Sequence, residues 1–186
     1  MQSWGGTSDA FCTQGRVKKG ANPYAILSQA KPPYNKVEYR TPGTYTVTLP
    51  AGVITVKVTV AGAGGGGGGG YYRRSQYNGT KIYTGGNGGR GALITQLVNN
   101  VSSGTYSLHV GAGGTGGSGV DGNSGNIGGS SYAFNVIANG GTGGANNLAH
   151  GTSYGNGGVG GMGGTGRDAG SAGSTGWVII EYGGDI

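Results

Sequence analysis

Seven consecutive glycines at 64–70, and a strict Gly-Gly-X triplet running from Gly157 to Gly166, set the first limit on what this chain can fold into. Each glycine loses ~0.5–1 kcal/mol more than alanine when its backbone is ordered. Glycine supplies 49 of the 186 residues, about a quarter against a usual ~7%, so an ordered chain needs a dense source of backbone hydrogen bonds. Period three is that of the polyproline II helix, which has no internal hydrogen bonds. Its amides and carbonyls must bond elsewhere, and bare glycine faces let neighbouring helices bond one another. The tracts at 64–70, 85–91, 111–119, 140–144 and 155–166 are therefore expected to form a bundle of glycine polyproline II helices. In the last tract the third positions make one ridge, with Val159 and Met162 expected to face the strand core in preference to another subunit. Collagen is excluded, because the prolines all precede residue 51 while the glycines come later.

Between the tracts the pattern is period two. Tyr45, Val47 and Leu49 alternate with threonines, a Pro50-Ala51-Gly52 turn follows, and Ile54, Val56, Val58 and Val60 alternate with Thr55, Lys57 and Thr59. This predicts a β-hairpin with one buried face. Further strands are predicted at 92–98, 106–110, 132–137 and 177–182, with His109 facing away from the core. The expected fold class is all-β: an antiparallel β-sandwich of short strands combined with the polyproline II bundle. Residues 44–186 would form this domain. Residues 1–43 hold all the prolines but Pro50 and one short predicted helix capped by Asn22 with Pro23 at its first position. They read as an N-terminal arm for docking or subunit contact, with Arg16, Lys18, Lys19 and Tyr24 as its assembly residues.

The net charge of +6 is uneven: residues 1–40 carry +4, residues 57–90 carry +5 and residues 91–186 carry −3. A basic front and a weakly acidic back suit an anionic partner or head-to-tail contact between copies. Cys12 is the single thiol, so no intrachain disulfide is expected. No run of eighteen apolar residues and no secretory leader is present, which predicts a soluble chain without membrane insertion.

Glycine at this density makes GxGxxG matches uninformative, and no P-loop lysine follows such a match. Residues 116–121 and 163–168 both fit GGxGxD, the opening of a calcium-binding nonapeptide. They lack tandem stacking and have Asn123 and Gly170 where an apolar residue belongs. His109 and His150 have no sequence-near carboxylate, and the acids are scattered. Neither catalytic residue, metal nor cofactor is expected, and the protein reads as a non-enzyme. The sequons at Asn78 and Asn100 carry little weight without a leader. Ice binding by a flat polyglycine face would need regular small residues where Val159, Met162 and Thr165 stand.

One segment suggests recognition. Between Tyr71 and Tyr83, four tyrosines (Tyr71, Tyr72, Tyr77, Tyr83) interleave with Arg73, Arg74 and Lys81. Such a mixture can stack on rings while pairing with phosphate or carboxylate groups, and Tyr and Arg are also enriched at subunit interfaces. It is expected in a long loop. Anionic host-surface glycan and a neighbouring subunit both fit. Nucleic acid is not expected, since no recognised module accompanies the segment.

The order of the blocks TYTVTLPAGV, VTVAGAGGGGGGG, TYSLHVGAGGTGG, GGSSYAFNVIANGGTGG and GSTGWVIIEY resembles the glycine-rich domain of bacteriophage tail-fibre and related virion proteins. A similar domain occurs in the extracellular part of anaplastic lymphoma kinase. The resemblance covers about residues 44 to 182, and it implies a strand sandwich joined to polyglycine helices with variable loops used for contact. It also implies a virion protein, made in the host cytoplasm and acting outside the cell, with further copies of itself and other virion proteins as partners. The expectation is a structural or adhesive component of a phage particle. The alternative is a self-polymerising filament subunit whose arm inserts into the next copy.

Overall fold

Alternation of threonine with larger apolar residues gives each strand one face that must leave water, and two sheets meet to bury those faces. In this computed structural model residues 31–75, 79–119, 122–146, 155 and 157–186 are described. The chain divides into a unit of residues 1–31 and a unit of residues 32–186, and the described residues belong to the second, Lys31 aside. The predicted helix after Asn22, and Arg16, Lys18, Lys19 and Tyr24, lie outside the described residues.

The strands are β1 (Asn35–Tyr39), β2 (Gly43–Leu49), β3 (Thr55–Ala61), β4 (Tyr71–Ser75), β5 (Gly79–Tyr83), β6 (Leu93–Asn99), β7 (Gly104–Val110), β8 (Ser131–Ala133), β9 (Val136–Ala138) and β10 (Trp177–Tyr182). One sheet has the order β1-β10-β3-β6, the second β2-β7-β8-β9, and β4-β5 pair by themselves. Every pairing is antiparallel. Val56, Val58 and Val60 of β3 and Val178 and Ile180 of β10 face Leu49, Leu108, Val110, Ala133 and Ala138 across a single core. Each large side chain so buried contributes ~1.5–3 kcal/mol relative to exposure.

Two strand expectations are corrected. β2 and β3 do not form a hairpin: β2 pairs with β7 and β3 with β10 and β6, so the turn through Gly52 carries the chain from one sheet to the other. Period two fixes which face is buried, and strands on opposite sides of a core share that pattern. The single strand expected over 132–137 is two short strands, because Phe134 and Asn135 have φ of 48° and 63° and turn the chain back. Residues 35–39, placed in the arm by composition, pair with β10 at the edge of the first sheet. His109 faces outward, its Nδ1 lying 3.2 Å from the Thr44 hydroxyl.

The glycine tracts form the bundle in the predicted manner. The first helix continues directly from β3 and is central. The amides of 62, 65 and 68 donate to Ala92, Gly89 and Gly86; those of 63, 66 and 69 to Gly129, Asn126 and Asn123; those of 64, 67 and 70 to Ser174, Ser171 and Asp168. Falling partner numbers mark three antiparallel neighbours. The carbonyls of 62, 65 and 68 accept from Gly158, Gly161 and Gly164, those of 63 and 66 from Gly141 and Gly144, and those of 64 and 67 from Gly114 and Gly117. Rising numbers mark three parallel neighbours. The outer six also bond around the ring, each to two antiparallel neighbours, for example Gly88 to Gly161, Gly89 to Thr142, Gly128 to Gly141, Asn126 to Thr115, Gly173 to Gly114 and Ser171 to Met162. The result is one helix inside six of alternating direction. Nine residues at ~3.1 Å each make the central helix roughly 28 Å long.

Glycine is obligatory at the centre. A Cβ added at Gly64, Gly65, Gly66, Gly67, Gly68 or Gly69 would lie 1.9–2.2 Å from a neighbour's carbonyl oxygen, far inside van der Waals contact. On the outer helices the third positions point to solvent. Val159 is 51% and Met162 71% exposed, so their ridge does not face the strand core; the core lies at the end of the bundle, beside the strands, while this helix occupies the ring. The amides of Val159 and Met162 instead bond the hydroxyls of Ser174 and Ser171 at 2.5 and 2.6 Å.

Candidate contact site

Strand and helix connectivity fixes which end of the bundle is which. β3, β7 and β9 run into helices at residues 62, 111 and 139, and helices run into β6, β8 and β10 at residues 92, 130 and 176. All six junctions lie at the sandwich, so Gly70 lies at the opposite end. There the chain emerges from the central helix into β4, returns through β5, and re-enters the ring at Gly85. The tip therefore carries the tyrosine-rich segment singled out in the sequence.

The segment is a hairpin, where a long loop was expected. Register places Tyr71 opposite Tyr83, Tyr72 opposite Ile82, Arg73 opposite Lys81 and Arg74 opposite Thr80. Tyr77 lies outside the described residues. The Tyr71 and Tyr83 rings stack at 4.6 Å with planes 3° apart, closing the base of the hairpin. Gly122 makes room for this: its φ is 59°, and a Cβ there would sit 2.7 Å from the Tyr71 ring. Thr84 bridges to Thr165, tying the base to the turn that ends at Asp168, whose carbonyl accepts from Gly70. Arg73, Arg74 and Lys81 thus occupy positions of one short hairpin whose base is the Tyr71–Tyr83 pair, with Ile82 61% exposed on it. The sequence does carry a signal for the hairpin in Asn78-Gly79, a turn dipeptide between β-prone Tyr, Ile and Thr residues. The GGxGxD segment at 163–168 also ends at this tip; Asp121, the last residue of the other, lies outside the described residues.

The charged groups of the sandwich do a different job. The Tyr34 hydroxyl donates to Glu181 Oε1 at 2.7 Å, and Lys57 Nζ lies 3.0 Å from Oε2. The Tyr34 hydrogen bond, then Lys57, hold the Glu181 carboxyl below its ordinary range, while donating to Glu181 raises the Tyr34 hydroxyl. Glu38 and Arg40 pair at the end of β1, and Arg40 lies over the Trp177 ring. These contacts pin the outer face of one sheet. Among the described residues no helix is long and apolar enough to cross a membrane.

A β-sandwich whose strands extend into a hydrogen-bonded glycine bundle defines an all-β, glycine-rich class of domain. A family model described as a glycine-rich domain matches residues 40–176, and the chain belongs to that family. No curated protein matches it.

Proposed function

We propose that this chain is a non-enzymatic structural and adhesive component of a bacteriophage particle, a tail fibre, tip or surface decoration, that works outside the cell after synthesis in the host cytoplasm. The observation that carries this reading is the placement of the Tyr71–Tyr83 hairpin at the end of the bundle farthest from the sandwich. A bundle with its backbone groups bonded across seven helices is a stiff mount, and a basic, tyrosine-rich hairpin at its tip suits an anionic glycan of the host surface. The block-by-block likeness to virion glycine-rich domains supports the same reading. Other copies of the chain and other virion proteins are its proposed neighbours, through the part of the arm that precedes β1.

The test is binding of the purified chain to host cells and its state of assembly, with and without Arg73→Ala and Arg74→Ala together. Loss of cell binding with assembly intact is the expected result. If both properties are unchanged, the hairpin is not the contact surface. A second reading, a self-polymerising filament subunit, is favoured by the solvent-facing Val159 and Met162 ridge. Negative-stain electron microscopy separates the two: discrete particles support attachment, and long regular filaments support polymerisation.

A further inference from the structure

The sandwich end of the unit formed by residues 32–186 carries a cleft that the hairpin does not explain. β8 and β9 have three residues each, against seven in β6 and β7. β8 pairs with β7 at Leu108 and His109, which leaves the start of β7 uncovered on that side. The space left between β6, β7 and the β8–β9 turn is an open cleft of about 660 Å³, within the ~300–1,000 Å³ usual for ligand sites. It lies at the end of the sandwich away from the bundle.

Its walls have a consistent chemistry. Tyr106 and Phe134 pack with ring centroids 4.6 Å apart. The Tyr106 hydroxyl donates to the Ser102 carbonyl at 2.8 Å and accepts the Ser102 amide at 3.1 Å, so the ring is fixed in place. Tyr132, 40% exposed, stacks on His109 at 5.5 Å and is held from behind as a platform. Asn100 and Asn135 add exposed carboxamides, each able to donate and accept. Among the described residues, no Asp, Glu, Lys, Arg or His lines the cleft.

Backbone strain singles out the same place. Among the described residues, the non-glycine residues with positive φ are Asn100 at 59°, Phe134 at 48° and Asn135 at 63°, and all of them line this cleft. Asparagine tolerates the left-handed region; phenylalanine is an outlier there. A two-residue turn of this kind is satisfied by Asn-Gly, yet here it carries Phe-Asn. Strained residues of this sort cluster where their side chains are needed.

We infer that this cleft binds a neutral saccharide, with a pyranose ring laid on the aromatic wall and its hydroxyls bonded by Asn100 and Asn135. Ring faces suit the C–H-rich face of a sugar, and carboxamides suit neighbouring hydroxyls. The uncharged lining sets the ligand apart from the anionic glycan proposed for the hairpin, and the inference does not rest on that proposal. An apolar peptide would use the rings and leave the carboxamides without a purpose.

The experiment is saturation-transfer NMR and tyrosine fluorescence titration of the full chain with maltose, cellobiose, lactose and N,N′-diacetylchitobiose, with galacturonic acid as the charged comparator. At least one neutral disaccharide is expected to bind at millimolar concentration or below. Tyr132→Ala and Asn135→Gly should each weaken it about tenfold or more, while Arg73→Ala with Arg74→Ala leaves it unchanged. Asn135→Gly relieves a left-handed backbone position, so its fold is retained and its readout is the lost carboxamide. No binding of any of the four, tighter binding of galacturonic acid, or binding that survives both cleft variants would overturn the inference.

Discussion

The sandwich and the bundle solve the same problem with opposite means. In the sandwich, side chains carry the stability: Leu49, Leu108 and Ile180 are buried, and the backbone ladder follows from the packing. In the bundle there are almost no side chains to bury, and the nine amides from residue 62 to residue 70 all donate to neighbouring helices. One region tolerates changes of shape that keep apolar volume; the other tolerates no added atom at its centre. Glycine in this chain is therefore a packing residue, used because closeness of backbones is what holds the bundle together.

Changes at the two cores should separate these regimes, and the largest effect is expected at the bundle's axis. Gly67→Ala would place its Cβ 1.9 Å from the Met162 carbonyl oxygen. It should cost more than ~4 kcal/mol or prevent folding, measured by chemical denaturation and by amide exchange of residues 62–70. In the sandwich, Leu108→Ala should cost ~2–5 kcal/mol as a cavity mutation in the same denaturation experiment. If it proved costlier than Gly67→Ala, side-chain packing would outrank the backbone lattice.

A smaller effect is expected from the Tyr34–Glu181–Lys57 cluster. Glu181 is held below its ordinary value of 4.5 in the folded state, so the unfolded chain takes up the proton first. Its contribution is therefore complete above the ordinary carboxylate value and is lost as pH falls through the lowered one. Lys57 is partly solvated, so screening should limit Glu181→Gln to under about 1 kcal/mol at neutral pH. The difference from wild type should shrink on acidification, read as Tm against pH. The smallest effect belongs to the bundle's rim, where Met162→Ala should change stability by no more than ~0.5 kcal/mol. A large loss there, with an unchanged monomeric fold, would reveal a partner on the ridge.

Much of this architecture is legible in the amino-acid sequence. The alternation in β2, β3, β7 and β10 marks their buried faces, and the GGx triplets mark the period and the need for neighbours. Other features are hidden for physical reasons. The helices at 123–129 and 168–176 carry few glycines, because only every third residue there meets the central helix: a Cβ at Gly125 or Gly170 would strike the carbonyl of Gly66 or Gly67. Helices running the other way need two in three, since Gly113 and Gly114 each abut a different ring neighbour, at Gly173 and Asn126. Sparse tracts thus read as loops. Of the candidate site, the tyrosines and basic residues of 71–83 stand out by composition, but their pairing and their place at the tip depend on where the central helix ends. The cleft leaves no mark in the sequence, because Asn100 and Tyr106 come from one part of the chain and Tyr132, Phe134 and Asn135 from another, with no spacing that links them.

Sequence alone determined the local periods, two for strands and three for glycine helices, since these follow from which atoms each residue carries. Tertiary structure decided the partners. It sent β2 and β3 to opposite sheets, chose the run at 62–70 as the axis, and turned Val159 and Met162 outward. The axis must be the segment with the fewest side-chain atoms, here none beyond the Ala63 methyl at its sandwich end, because a helix with six neighbours has no free face, and that ranking among glycine tracts exists only once all seven are brought together.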